Sequence, residues 1–268
     1  MTVLSPPRGV GELLRDWRHR RRLSQLDLAL EAEVSARHLS FVETGRSKPS
    51  RELLLHLAEH LEVPLRERNT WLLAAGYAPV YRETPMDDDR MAPVRDALDK
   101  ILTSHEPYPA VIVDGRWNLA AANPASLRIL TAGVAPALLE PPANALRISL
   151  HPSGLAPRIV NFAEYSAHLM ARLHRQAMAS GDAELVALHD ELRRYPDVVD
   201  ERSPANDVAA LLYVPLVLRD DDRRQLSFFS TIATFGTALD ITVAELAIES
   251  FFPADRVTEA ALRAAAAG

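Results

Sequence analysis

The sequence predicts an all-α N-terminal domain of about five helices followed by an α+β C-terminal domain with an antiparallel sheet of about five strands. Three observations carry this. The 268 residues are 48% hydrophobic, enough to bury more than one core, so two domains are expected. Up to Gly76 the apolar residues recur at helical intervals between recognisable caps. Beyond residue 107 the pattern changes to short apolar runs between turn residues, interrupted by one long helical stretch.

Leu13, Leu14 and Trp17 fall at helical spacing before "RHRRR" and give a first amphipathic helix with a basic last turn. Ser24 caps "QLDLALEAE", in which Leu26, Leu28 and Ala29 face inward. Ala32 to Val34 form a three-residue turn. Ser35 then caps a short helix that points Leu39 and Val42 into the same core, and Gly45 supplies its left-handed stop. Two short helices so joined, the second exposing Ala36, Arg37, Ser40 and Phe41, form a helix-turn-helix. Ser50 caps "RELLLHLAEHL", Pro64 suits the first turn of the next helix, and Gly76 ends it. "YAPVYRETPMDDDRMAP" breaks helices and has little apolar periodicity, which places the boundary near residue 90. The first domain is then residues 1–81, a linker and connecting helix fill 82–106, and the second domain is 107–268.

In that second domain "YPAVIVDGRWNLAAANPA" sets Asp-Gly between two short apolar runs, a hairpin signal, and Asn123-Pro124 begins a helix. Residues 162–195 read as mainly helical, with Phe162, Tyr165, Leu169 and Leu173 on one stripe. Three strand-like runs follow: "VAALLYVPLVLRD", "RQLSFFSTIATF" and "VAELAIESFF". Asp220 to Asp222 turn the first pair, and Pro215 puts its strand at a sheet edge. A last helix starts near Asp255. Two strands, several helices, then three strands is the order of a PAS-like sensor domain.

Composition excludes several functions. No Cys is present, which removes disulfides, thiolate metal sites and Cys nucleophiles. No signal-peptide pattern opens the chain and no long uninterrupted apolar window occurs, so a soluble, cytoplasmic protein is expected. No Gly-rich phosphate loop, no His-Glu-x-x-His and no Gly-x-Ser-x-Gly elbow is found, and neither a metal site nor an enzyme is expected. Charge is informative in its distribution. Residues 1–51 hold ten Lys or Arg against six Asp or Glu, while the whole chain carries a formal net charge of -6. The basic surplus is local, fitting either a solvated helix face or a polyanion.

The exposed helix favours DNA. A major groove admits one α-helix, and small leading side chains let its backbone approach the bases. Arg37 has the geometry to pair with guanine, and Phe41 or Ala36 to touch a thymine methyl. Arg46 and Lys48, just past the helix, are placed to meet phosphates. The bland alternatives are a solvated Arg37 and a Phe41 partly packed in the core.

The stretch "LSQLDLALEAEVSARHLSFVETGRSKPSRELLLHLAEHLEVP" resembles the helix-turn-helix of phage repressors and xenobiotic-response-element regulators. By that resemblance Gln25 clamps the phosphate backbone, Ala36 and Arg37 read base edges, and Arg18 with Glu43 forms a structural ion pair joining the first helix to the end of the third. The turn departs from the family, because Glu33 stands where many members have Gly. The motifs "PYPAVIVDGRWNLAAAN", "HPSGLAPRIVNFAEYSAHLMARL" and "LSFFSTIATFGTALDITVAELAIESFFPAD" resemble the ligand-binding domain of MmyB-like transcription regulators. This implies a one-component regulator whose PAS-like domain encloses a fatty-acid-like molecule. Double-stranded DNA with a palindromic operator, a small apolar ligand and a second copy of the chain are the expected partners, and no cofactor beyond such a ligand is implied.

The residues leave core and cavity open. Both faces of "LSFFSTIATF" carry apolar groups, which suits a strand between helices. His168, Arg172 and Gln176 repeat every four residues beside the apolar stripe and can present a head-group partner, or are simply solvated. The candidate ligand residues are therefore Tyr165, His168, Leu169, Arg172, Gln176, Phe228 and Ile232. The rival reading is a C-terminal domain that packs on a partner protein or a second subunit and holds no small molecule.

Overall fold

Helices α1 (Val10–Arg20), α2 (Gln25–Glu31), α3 (Ala36–Glu43), α4 (Arg51–His60) and α5 (Leu65–Ala74) follow one another in the computed structural model, which describes residues 8–200, 214–220 and 222–267. They belong to a unit built on the residues up to Thr84 with Ala238–Ile241, while the rest of the chain from Pro85 forms a second unit. The starts of the short helices are chemical. Ser24 Oγ accepts from Asp27 N at 3.1 Å and the Asp27 carboxylate accepts from Ser24 N at 2.9 Å, a reciprocal box at the head of α2. Ser35 and Ser50 accept from His38 N and Leu53 N in the same way. Pro64 sits at the cap position itself, one residue ahead of α5, rather than in its first turn.

Leu14, Trp17, Leu28, Leu39, Val42, Leu54, Leu57 and Trp71 fill the core of this unit. Leu26 does not join them and is 59% exposed. The positions of α2 that face inward are Leu28 and Ala29, and Leu26 projects from another side of the helix. The turn after α2 holds Glu33 at φ +51°. That left-handed conformation costs a residue with a Cβ about 1–2 kcal/mol and explains why glycine suits the position.

Gly11 sets the approach of α1 to α3. A Cβ there would lie 2.4 Å from the Val42 carbonyl oxygen and 2.7 Å from that of Glu43. Both obstacles are backbone, so the helices themselves must separate. Gly11→Ala is therefore expected to lower stability by about 1–3 kcal/mol, the usual cost of overpacking. A chemical-denaturation midpoint equal to that of the unaltered protein would show that α1 is not fixed on α3.

The second unit begins with α6 (Ala92–Ser104) and continues through β1 (Ala110–Val113), β2 (Leu119–Ala122), α7 (Pro124–Leu130), α8 (Pro136–Leu139), α9 (Ala145–Leu150), α10 (Phe162–Ser180) and α11 (Ala183–Leu192). It ends with β3 (Leu216–Arg219), β4 (Gln225–Thr234), α12 (Ile241–Glu245), β5 (Ala247–Pro253) and α13 (Arg256–Ala267). The strands form an antiparallel five-stranded sheet in the order β2-β1-β5-β4-β3. Residues on opposite faces alternate along each strand. Val111, Val113 and Phe251 face the main core, with Leu169, Met170 and Leu173 of α10, whereas Ala110, Ile112 and Ile248 face a smaller core with Leu98 and Leu102 of α6. This two-sided cover makes β1 buried at every position.

Several details differ from the sequence reading. The β1–β2 turn runs from Asp114 to Asn118, and its left-handed residue is Trp117 at φ +68°, not Gly115. The Asp114 carboxylate holds this longer turn by accepting from the backbone N–H of Arg116 and Asn118, each at 2.8 Å. Gly181, at φ +69°, ends α10 and splits the long helical stretch in two. "VAELAIESFF" is not one strand, because its first three residues lie in α12. Of "VAALLYVPLVLRD", Val208–Tyr213 fall outside the described residues, and the strand found is β3, at a sheet edge and just after Pro215. The far half of β4, Ser230–Thr234, is exposed, so the expected sandwich of helices covers only the half that carries Leu226 and Phe228.

Candidate functional site

The outward face of α3 carries exposed Arg37 and His38 with half-buried Ala36, Ser40 and Phe41, while Leu39, Val42 and Glu43 face the core. Arg37 lies over the Phe41 ring, 5.4 Å from guanidinium carbon to ring centroid, one helical turn away. Phe41 thus supports the arginine, and it is not among the residues packed against the core of this unit. Arg46 is exposed, and Lys48 Nζ lies 5.0 Å over the Tyr77 ring. His38 was not singled out by the sequence, although its exposed position beside Arg37 on a three-to-four residue repeat marks it.

The helix is held from behind by a buried network. Arg18 donates from Nε to Glu43 Oε1 at 2.7 Å and from Nη2 to Oε2 at 2.9 Å, a two-pronged pair joining α1 to the end of α3. Gln25 Nε2 adds a bond to Glu43 Oε2 at 2.7 Å, so this amide serves the network with one of its two N–H hydrogens. Arg18 also caps the Leu23 carbonyl, and Arg15 the Glu43 carbonyl. Burial raises the Glu43 carboxyl, but the bonds from Arg18 and Gln25 outweigh it and hold the group below its ordinary value. Arg21 donates to the carbonyls of Leu61 and Glu62. Part of the basic surplus of this domain is therefore structural.

In the second unit a cavity lies between the sheet and the helices, walled by Val111, Trp117, Leu130, Leu146, Ile148, Leu169, Leu216 and Phe251. It leaves about 70 Å³ of room for water-sized centres, several times the ~10–15 Å³ that one ordered water needs. Polar side chains in its wall are the Tyr165 phenol, the Glu249 carboxylate and the hydroxyls of Ser126, Thr131 and Ser149. Burial pushes the Tyr165 phenol up, and the Glu249 carboxylate adds to this while Arg172 offsets it. Arg172 Nη1 reaches Glu249 Oε2 at 3.3 Å and its guanidinium lies 4.2 Å from the centroid of Trp117. Trp117 Nε1 donates to Gln176 Oε1 at 2.8 Å, and Gln176 Nε2 donates to the Gly115 carbonyl at 2.7 Å.

Of the candidate ligand residues, Tyr165 and Leu169 line this cavity, and Arg172 and Gln176 stand behind its Trp117 and Glu249 walls. His168 is half-buried and lies outside the lining; burial, then Arg172 and Arg175, lower its ring below the ordinary value. Phe228 is core, 1% exposed, and Ile232, opposite Glu249 in the β4–β5 register, is 45% exposed; neither lines the cavity. Glu249 and Trp117 were missed. The signal for Glu249 is a lone carboxylate at the alternate position between Ala247 and Phe251. Among the described residues no cluster of His, Asp and Glu is placed to hold a metal ion, and no helix is long and apolar enough to cross a membrane.

Residues 94–265 match the family model of the MmyB-like transcription regulator ligand binding domain, and residues 10–71 match that of a helix-turn-helix domain. No curated protein matches. Among solved structures the chain is similar to an RsLOV variant, at 15% identity over 62% of this chain and 75% of that one, with a TM-score of 0.31. It is also similar to an RNA-binding Light-Oxygen-Voltage receptor, at 16% identity over 97% of this chain and 62% of that one, with a TM-score of 0.27. At these values neither likeness carries structural or functional weight.

Proposed function

The chain belongs to the MmyB-like transcription regulators and is a DNA-binding regulator with a small-molecule domain, and from that premise we propose a one-component cytoplasmic device in which an apolar, fatty-acid-like ligand in residues 107–268 adjusts the grip of residues 1–81 on an operator. The observation that carries the ligand half is the cavity, apolar over most of its wall, with Tyr165 and Glu249 among its polar groups. The test is an organic extract of the purified protein examined by mass spectrometry. A stoichiometric apolar compound supports the reading, and a clean extract that stays clean after incubation with mixed lipids argues for an interaction module instead.

On the DNA side, Arg37 reads a base and Ala36, Ser40 and Phe41 shape the same contact, while Gln25, Arg46 and Lys48 meet phosphates. Arg37→Ala is expected to relax preference at one operator position by about 1–3 kcal/mol. Arg46→Ala and Lys48→Ala are expected to weaken all sequences alike and to lower the salt slope by about one unit each. Equal loss of specific and random DNA binding in Arg37→Ala would remove the base-reading role.

One helix-turn-helix covers one half-site, so the proposed operator is a palindrome with half-sites about 34–36 Å apart, bound by a homodimer. The N-terminal domain is small, which points to residues 107–268 as the source of the dimer contact. Protein lacking residues 1–85 is expected to remain dimeric at micromolar concentration by light scattering. A monomer there would move the contact to the N-terminal domain.

A further inference from the structure

The cavity is buried at one end and open at the other, and beside its open end stands a cation that no carboxylate answers. We propose that Arg158 receives the carboxylate of the fatty-acid-like ligand at this rim, with the acyl chain running inward toward Tyr165 and Glu249. The proposal rests on the cavity being the ligand site.

Among the described lining residues Leu127 of α7 is the one exposed side chain, at 56%, and Leu130 and Thr131 beside it are half-buried. Tyr165, Leu169 and Glu249 are buried and mark the closed end. Taking an ionised carboxylate into an apolar interior is costly, whereas burying the chain is favourable, so an acid enters chain first and keeps its charge near water. The closed end adds to this direction. Glu249 is the charged side chain of the lining, and its oxygens already accept from Ser230 Oγ at 2.9 Å and from Arg172 at 3.3 Å. A second carboxylate there would face a like charge.

Several arginines flank the lining, and most are neutralised. Arg116 pairs with Asp182 at 2.9 Å, Arg128 with Glu106 at 3.4 Å, Arg147 with Glu191 at 2.7 Å and Arg172 with Glu249 at 3.3 Å. Arg158 pairs with no carboxylate among the described residues and donates to backbone carbonyls instead. Its Nε reaches Arg219 at 3.1 Å, and its Nη1 reaches Ile129 at 3.1 Å and Ala132 at 2.8 Å. These carbonyls orient the guanidinium without cancelling its charge. They also fix its place, because Ile129 and Ala132 bracket the lining residues Leu130 and Thr131 at the open end. On the other side the Arg158 N–H bonds the carbonyl of Leu155, another lining residue, at 2.8 Å. The two hydrogens of Nη2 have no acceptor among the described residues, and a carboxylate is the acceptor that such a charged donor binds most strongly. The hydroxyls of the wall do not set this preference. Those of Ser126 and Thr131 are engaged with the carbonyls of Ala110 and Leu127, and that of Ser149 is neutral and meets an acid or an alcohol alike.

The test is calorimetric titration of the full-length protein with decanoate, decanol and decylamine at about pH 8, where the acid and the amine are both charged. Decanoate is expected to bind at least about tenfold more tightly than decylamine, which has the same chain and the opposite charge. Arg158→Gln is expected to weaken decanoate about tenfold and to leave decanol within about twofold. The decanol arm separates charge from shape, since Arg158 also ties the end of α7 to β3 and a distorted cavity would lose both ligands together. Decylamine binding the unaltered protein as tightly as decanoate overturns the proposal, and this arm needs no variant to fold. Undiminished decanoate binding in Arg158→Gln, or an equal loss of decanoate and decanol, overturns it too while leaving the cavity as the ligand site. Binding of none of the three to the unaltered protein overturns the cavity reading itself.

Discussion

Glu43→Ala is expected to destabilise the N-terminal domain by about 3–5 kcal/mol, because it leaves the Arg18 guanidinium buried without its counter-charge. Arg18 is 6% exposed and Glu43 3%, so water cannot replace what is lost. The same substitution frees Gln25 Nε2, whose bond to Glu43 Oε2 is 2.7 Å. An exposed pair would cost only about 0–1 kcal/mol, so the measurement separates the two cases cleanly. Acid has the same target. The folded protein holds the Glu43 carboxyl below its ordinary value of 4.5, so its contribution is present above that value and is lost as pH falls through the folded value. The gap between the unaltered protein and Glu43→Ala should therefore be full near neutral pH and should close in acid. Urea denaturation across that range is the check, and equal stability of the two proteins at neutral pH would mean the pair does not hold α1 to α3. Operator affinity should fall with it, since α3 presents Arg37 and Phe41 from a helix whose last residue is Glu43.

Much of the first domain was legible because its signals are local. Ser24, Ser35 and Ser50 announce helix starts by chemistry contained within three residues, and Gly45 and Gly76 announce ends by a conformation that other residues resist. The strands of the second domain were legible in number and in their order along the chain for a similar reason: short apolar runs between turn residues. The interior of that domain was not. The two faces of β4 look alike in sequence, yet the half with Leu226 and Phe228 is covered and the half with Ile232 is not. That difference depends on which segments cross above the sheet, a long-range fact. Arg172 and Gln176 were legible as polar residues beside an apolar stripe. Their partners Glu249 and Trp117 come from a strand and a turn far away in sequence, and no helical period connects them. Glu33 is the opposite case, a local rule broken: a residue with a Cβ sits in a left-handed turn, and the turn forms regardless because the helices on either side share a core.

Phe228→Ala is expected to destabilise the C-terminal unit by about 3–5 kcal/mol, the range for removing a large aromatic from a packed interior. The ring is 1% exposed and its cluster includes Leu216, Leu226 and Phe251, with Leu216 and Pro253 as its register neighbours on β3 and β5. Leu216 and Phe251 also wall the cavity, so the loss is transmitted to the ligand site through side chains that touch both. Against a typical total stability of about 5–15 kcal/mol, a cost of this size leaves little margin for one unit. Since the chain forms two compact units, differential scanning calorimetry should show the C-terminal transition lowered and the N-terminal one in place, the reverse of Glu43→Ala. A melting profile identical to that of the unaltered protein would place Phe228 outside a rigid core. The functional consequence separates the domains further. A ligand changes DNA affinity only by preferring one arrangement of the protein over another. Loosening the walls at Leu216 and Phe251 weakens that preference while leaving the outward face of α3 chemically unaltered. Binding to an isolated half-site should therefore persist in Phe228→Ala below its lowered transition, while the response to any apolar ligand fades.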